Sequence, residues 1–148
     1  MKSILREGDR AAICGRLGSL SASAAPRWGR MDAKAMLAHL GHAGRMALGE
    51  LPVASANRRA FQVFPMKHLI LYVFPFPKGA PTATALLKSP TDSWEASRSA
   101  VVALLERIGT GPPDGVGPAH PLFGTLSRRE WGVLVHKHVD HHLRQFGA

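Results

Sequence analysis

Apolar positions recur at helical intervals in four stretches of the chain. Over Ser3–Leu20 they fall at Ile4, Leu5, Ala11, Ala12, Leu17 and Leu20, with Gly15 and Gly18 weakening the second half. Ala25-Pro26 then breaks the pattern, and Asp32 is placed to cap a second stretch. That stretch, Ala33–Leu48, keeps Met36, Leu40, Ala43 and Ala47 on one face until Gly49 stops it. The third opens at Thr91-Asp92-Ser93, with Thr91 or Ser93 as the cap, and presents Trp94, Val101, Leu104, Leu105 and Ile108 before Gly109. In the fourth, Ser127 is followed three residues later by Glu130, the capping-box pattern. The helix predicted behind that cap runs through Trp131, Leu134, Val135, His138, Val139, His142 and Phe146.

The segments between are less regular. Arg59–Tyr72 fits either a short amphipathic helix or an extended piece, while the prolines of Phe74–Pro81 fix φ and remove donors, which predicts irregular structure. Gly111–Phe123 is a second connector rich in Gly and Pro. No stretch alternates with period two. Four helices of about 18 residues, each about 27 Å long, match the scale of a small bundle. The pattern therefore predicts one all-α domain over residues 1–148, a four-helix bundle with long irregular connectors.

Composition narrows the class. The chain has 148 residues, 45% apolar and 20% charged, too apolar for a disordered chain and enough for one core. A single cysteine, Cys14, excludes an internal disulfide framework or a Cys-rich zinc module, and fits a reducing, cytoplasmic setting. Met1–Ala25 has no uninterrupted apolar run of the kind an export signal needs, and Leu69–Phe76 is far short of a membrane span. No membrane partner is expected. The net charge is +9, with +7 of it in residues 1–74. Such an excess suits anionic partners. Yet no run of Lys or Arg exceeds two residues and Tyr occurs once, so no specific nucleic-acid partner is expected either. A solvated basic surface around a site for a small-molecule substrate is the simpler reading.

The main chemical signal is histidine. Of eight, at 39, 42, 68, 120, 136, 138, 141 and 142, four fall within seven residues of the last helix. His138 and His142 continue the apolar stripe at i,i+4 spacing, which brings their Cβ atoms about 5–6 Å apart on one face. Two imidazoles one turn apart can both reach one ion, with nitrogen at about 2.0–2.1 Å from zinc. His136 and Asp140 are expected toward solvent, and His141 on the flank, where it can supply or support the site instead. His39 sits among Met36, Leu40 and Ala43 on the inward stripe of the second helix, so it can complete a three-nitrogen set, with His42 as its substitute. Three protein ligands leave open positions for water or substrate. His120, before Pro121, is expected to fix a loop rather than to ligate. Trp28, Trp94 and Trp131 read as packing anchors, with one available to wall a pocket, and Cys14 as an inert buried thiol. Arg27, Arg30, Arg45 and Arg144 are candidates to hold a carboxylate at the mouth, and Glu130 and Asp140 to support the ligands. Gln145 either orients a ligand or terminates the helix.

These residues carry a resemblance. His138-Val139-Asp140-His141-His142-Leu143-Arg144-Gln145 resembles the last-helix motif of the DinB/YfiT-like superfamily of metal-dependent proteins. Trp28-Gly29-Arg30-Met31 followed by Met36-Leu37-Ala38-His39-Leu40 is similar to the start of the second helix in that family. The stretch Pro75–Thr82 and His120-Pro121-Leu122-Phe123-Gly124-Thr125-Leu126-Ser127, leading into Glu130-Trp131-Gly132, resembles one branch with no assigned reaction. The ordered set spans nearly the whole chain. It implies a four-helix bundle that binds a divalent metal through His39, His138 and His142. Characterised relatives are transferases and isomerases that use bacillithiol, mycothiol or glutathione. The expectation is therefore a metal-dependent enzyme, with thiol S-transfer as the first reading. A metal-assisted hydrolase, or a non-enzymatic ligand-binding or stress-related bundle, is the alternative. Zinc or nickel heads the list of metals, with iron or copper behind them. A low-molecular-weight thiol is the expected organic cofactor, because the chain holds no second cysteine, and a homodimer is compatible with the bundle.

Overall fold

In the computed structural model, which describes residues 1–54, 59–78 and 93–148, the four apolar stretches are the four long helices. They are α1 (Glu7–Ser19), α2 (Ala33–Ala47), α4 (Trp94–Thr110) and α5 (Arg128–Gln145). A shorter helix, α3 (Met66–His68), runs directly into a π-helical turn, Leu69–Val73. Both α1 and α2 pack against α4 and against α5, so the pair α4 and α5 ties the other two together. Ile13 and Leu17 of α1, Met36 and Leu37 of α2, Ile108 of α4 and Leu143 of α5 are fully buried in the shared core.

The predicted caps form. Asp32 accepts the Ala35 amide at 2.7 Å, Ser93 accepts that of Ala96, and Ser127 and Glu130 close a reciprocal capping box. Gly49 stops α2 with φ of +77°, a backbone region open to glycine. Thr91, the other cap considered for α4, lies outside the described residues, as does Gly79–Thr82 of the proline-rich segment.

Three boundaries differ from the pattern. The first helix begins at Glu7 because Ser3–Leu5 docks on α5 instead: Ile4 N–H donates to the Gly132 carbonyl at 3.0 Å, and the Ser3 amide to Asp9 at 3.0 Å. Gly109 does not end α4, which continues to Thr110. A Cβ at Gly109 would lie 2.5 Å from Arg10 Cδ and 2.7 Å from the Ile4 carbonyl, so this glycine serves the crossing with α1 and not a stop. Within residues 59–73, Arg59–Phe61 forms a 3-10 turn and Met66–Val73 is helical rather than extended, with turns at 62–65 between them.

The expectation of an all-α fold needs correcting. The second connector and the four residues after it form an antiparallel hairpin, β1 (Val116–His120) and β2 (Gly124–Ser127), with His120 opposite Gly124 and Ala119 opposite Thr125. Pro118 and an irregular register between Val116 and Ala119 erase any alternation. The hairpin is closed by His120, whose Nδ1 accepts the amides of Leu122 and Phe123 at 3.1 and 3.3 Å. It is anchored by Trp131 Nε1, which donates to the Pro118 carbonyl at 2.9 Å. Thus His120 fixes a loop, as expected. No helix among the described residues is long and apolar enough to cross a membrane.

Two glycines in helices should respond oppositely to alanine. Around Gly15 of α1 nothing lies within 4 Å of an added Cβ, so Gly15→Ala is expected to stabilise by about 0.5–1 kcal/mol through helix propensity. Gly109→Ala must displace Arg10 and is expected to destabilise by about 1–3 kcal/mol. Urea unfolding of the two variants checks this, and equal midpoints would refute the packing role of Gly109.

Candidate metal centre

The helical periodicity of α5 places His138 and His142 on the face that meets α2, and the inward stripe of α2 delivers His39 to the same point. His39 and His142 are buried, and His138 is half-buried. His39 Nε2 lies 2.9 Å from His138 Nε2, and His142 Nε2 lies 3.2 Å from the same atom. The ring centroids form an equilateral triangle of 4.9 Å sides, each pair inclined at 60–80°. Such rings meet edge-on, nitrogen toward nitrogen, and do not stack.

These separations suit a shared ion. With bonds of about 2.0–2.1 Å, neighbouring nitrogens lie roughly 3.3 Å apart in a tetrahedral site and about 2.9 Å in an octahedral one. The donors are all nitrogen, and His138 and His142 are held neutral. Burial drives His138 well below the ordinary histidine range, helped by His142 and His39. Burial likewise takes His142 down to about 4, with a smaller push from His39 and an opposing one from its hydrogen bond to Gln145. A neutral imidazole is the form that ligates a metal.

The substitutes proposed for these ligands stay out of the cluster. His42, one turn beyond His39, is half-buried and not among the converging nitrogens. His141 lies beside the site, its ring 5.3 Å from that of His142 and packed between Trp28 at 5.7 Å and Phe76 at 6.0 Å. Phe76 also stands 6.1 Å from His138, and the Lys78 ammonium lies 4.6 Å from the centre of Trp28. Trp28 is therefore the tryptophan that flanks the site, through His141. Phe76 escaped the sequence reading because it sits in an irregular segment with no period to reveal its direction.

Other expectations are revised. His136 is not toward solvent but buried at 6% exposure, facing Asp9 and Asp140, and burial lowers its pKa. Asp140 pairs with Arg16 at 2.6 Å and Arg144 at 2.9 Å, and Glu130 with Lys67 at 3.0 Å. Neither carboxylate supports the triad, and Arg144 is committed to its ion pair. Arg27 packs on the C-terminal turn, against Gly147. Cys14 is half-buried rather than buried, with its thiol pushed up by burial and by Glu106. Gln145 does meet the triad, with its Oε1 2.8 Å from His142 Nδ1.

No family model matches this chain, and neither the characterised proteins nor the solved structures include a significant match to it.

The buried histidines link stability to pH. His120 is pushed down to about 4 and His142 to about 4, with His136, His138 and His141 shifted the same way. Unfolded, each binds a proton near pH 6.5, so below that value the unfolded state holds more protons and stability falls as pH falls toward 4. The urea midpoint of metal-free protein is expected to drop between pH 7 and pH 5, above the range where the carboxylates titrate. A midpoint that is flat or rising over that interval would contradict the neutral state of these five histidines.

Proposed function

We propose that this chain is a metal-dependent enzyme of the DinB/YfiT-like kind, a four-helix bundle in which His39, His138 and His142 hold one divalent ion. The single observation that carries this reading is the approach of three Nε2 atoms from two helices, two of their separations being 2.9 and 3.2 Å. Zinc or nickel suits the donor set best, and iron or copper follows. When bound, such an ion supplies Lewis acidity to a thiol or water in an open position, lowering its pKa.

The chain's own residues define what else the site does. His39, His138 and His142 orient the ligand positions, while Phe76 and Trp28 shield one side from water. A thiol must come from a small molecule, since the electrostatic neighbours of Cys14 are Glu106 and Arg10 and its thiol is held protonated. The reaction favoured is therefore transfer of a low-molecular-weight thiol to a small electrophilic substrate. A hydrolytic reading is favoured by His141, an imidazole that flanks the triad without joining it and can serve a bound water.

Elemental analysis of purified protein beside His39→Ala and His142→Ala tests the centre. About one equivalent of divalent metal is expected in the wild type and little in either variant, with the helical circular-dichroism signal retained. A wild type that is metal-free and takes up neither zinc nor nickel would overturn the reading. Turnover that needs an added thiol supports S-transfer, and thiol-independent hydrolysis replaces it with the second reading.

A further inference from the structure

We propose that Gln145 is the positioning residue of this centre: it holds His142 in the tautomer whose Nε2 lone pair faces His39 and His138. The proposal rests on the metal-binding reading for its purpose, but not for its geometry. A neutral imidazole carries one proton, on either nitrogen, and only the nitrogen without it can ligate. Which nitrogen is bare follows from what the other one meets.

Gln145 is 3% exposed and lies in the last turn of α5, three residues after His142. Its amide can be oriented without ambiguity. Nε2 lies 2.7 Å from the Trp28 carbonyl oxygen, which can only accept, so the atom facing Trp28 is the NH2 group. Oε1 is then the atom 2.8 Å from His142 Nδ1, and it too can only accept. His142 Nδ1 therefore carries the proton and donates it to Gln145. His142 Nε2, 3.2 Å from His138 Nε2, is left with its lone pair directed into the triad.

The chain is built around that amide. The Arg27 amide donates to the Gln145 backbone carbonyl at 2.7 Å, which locks the turn before α2 to the end of α5. Gly29 follows with φ of +81°, and a Cβ there would lie 2.7 Å from Gln145 Nε2. Position 29 thus needs glycine twice, for its backbone and for the space it leaves. A glutamine that only ended the helix would not need the space that Gly29 leaves. Outer partners of this kind orient metal-bound histidines and commonly change affinity by about 10–100-fold when removed.

The test compares Gln145→Leu with Gln145→Glu. Both remove the amide that donates to Trp28, but Glu keeps an oxygen that can accept from His142 Nδ1 whether or not it is ionised. Nitrogen-15 NMR of the metal-free proteins reads the tautomer directly. The proton is expected on His142 Nδ1 in the wild type and in Gln145→Glu, and partly on Nε2 in Gln145→Leu. In competition titrations with a chromophoric chelator, zinc should bind Gln145→Leu about 10–100-fold more weakly than the wild type. Gln145→Glu should match the wild type or bind more tightly. A wild-type His142 protonated on Nε2 would overturn the proposal, as would equal losses of zinc affinity in both variants. If no form binds zinc, the metal reading fails and the metal-free spectra still decide the tautomer. Should Gln145→Leu not fold, Gly29→Ala, which displaces the amide without removing it, takes its place.

Discussion

Three imidazoles meet nitrogen to nitrogen at the crossing of α2 and α5, with His39 and His142 Nε2 at 2.9 and 3.2 Å from His138 Nε2, and much of this molecule serves that approach. A charge on His138 or His142 would be buried beside the other rings, and burial holds both neutral. The six carboxylates in ion pairs among the described residues, Asp9, Glu50, Glu106, Asp114, Glu130 and Asp140, all face Arg or Lys. None is within the cluster. The basic excess of the chain therefore has a consequence inside as well as on the surface: acidic groups are engaged elsewhere, and the convergent donors are left purely nitrogenous. A neutral donor set does not offset the charge of a bound cation, and that is what makes Lewis acidity available.

The helix α5 carries most of the placement. Its N-terminus is set by the capping box and by the Lys67–Glu130 pair, its second turn by the Ile4–Gly132 backbone bond, and its C-terminal half by Arg16 on Asp140. The closeness of Gly132 to the N-terminal segment is severe, since an added Cβ would lie 2.6 Å from Ser3 Oγ. A one-residue slip of α5 would turn His138 and His142 away from α2 by about 100°. The contacts at three levels along the helix prevent it. On the open flank, Lys137 donates to the carbonyls of Ile70 and Leu71 in the π-helical turn and lies 5.1 Å from the centre of Phe76. One residue of the site helix thereby tethers the segment that shields the site.

Much of this was legible in the chain because it depends on local rules. Asp32, Ser93 and Ser127 are caps wherever they precede an apolar stripe, and the i,i+4 spacing of His138 and His142 puts them on one face of any helix that forms there. His39 could be read as inward because Met36, Leu40 and Ala43 surround it. The hairpin was hidden, for its strands are short, one contains Pro118, and a turn-fixing histidine closes it in place of alternating side chains. His136 was misread as solvent-facing since α1 covers that side of α5, and helical periodicity does not say which neighbours a helix has.

The sequence by itself determined the four long helices, the caps at Asp32 and Ser127, and the pairing of His138 with His142 on one face, all of which follow from spacing within about one turn of a helix. Only the tertiary structure decided that His39 and not His42 meets the pair on α5, that Phe76 and Trp28 flank them, and that Gln145 faces His142 while Asp140 does not. Those choices depend on how two helices 99 residues apart cross and on which side of each crossing a loop returns. Packing of distant surfaces settles them, and no local periodicity encodes it.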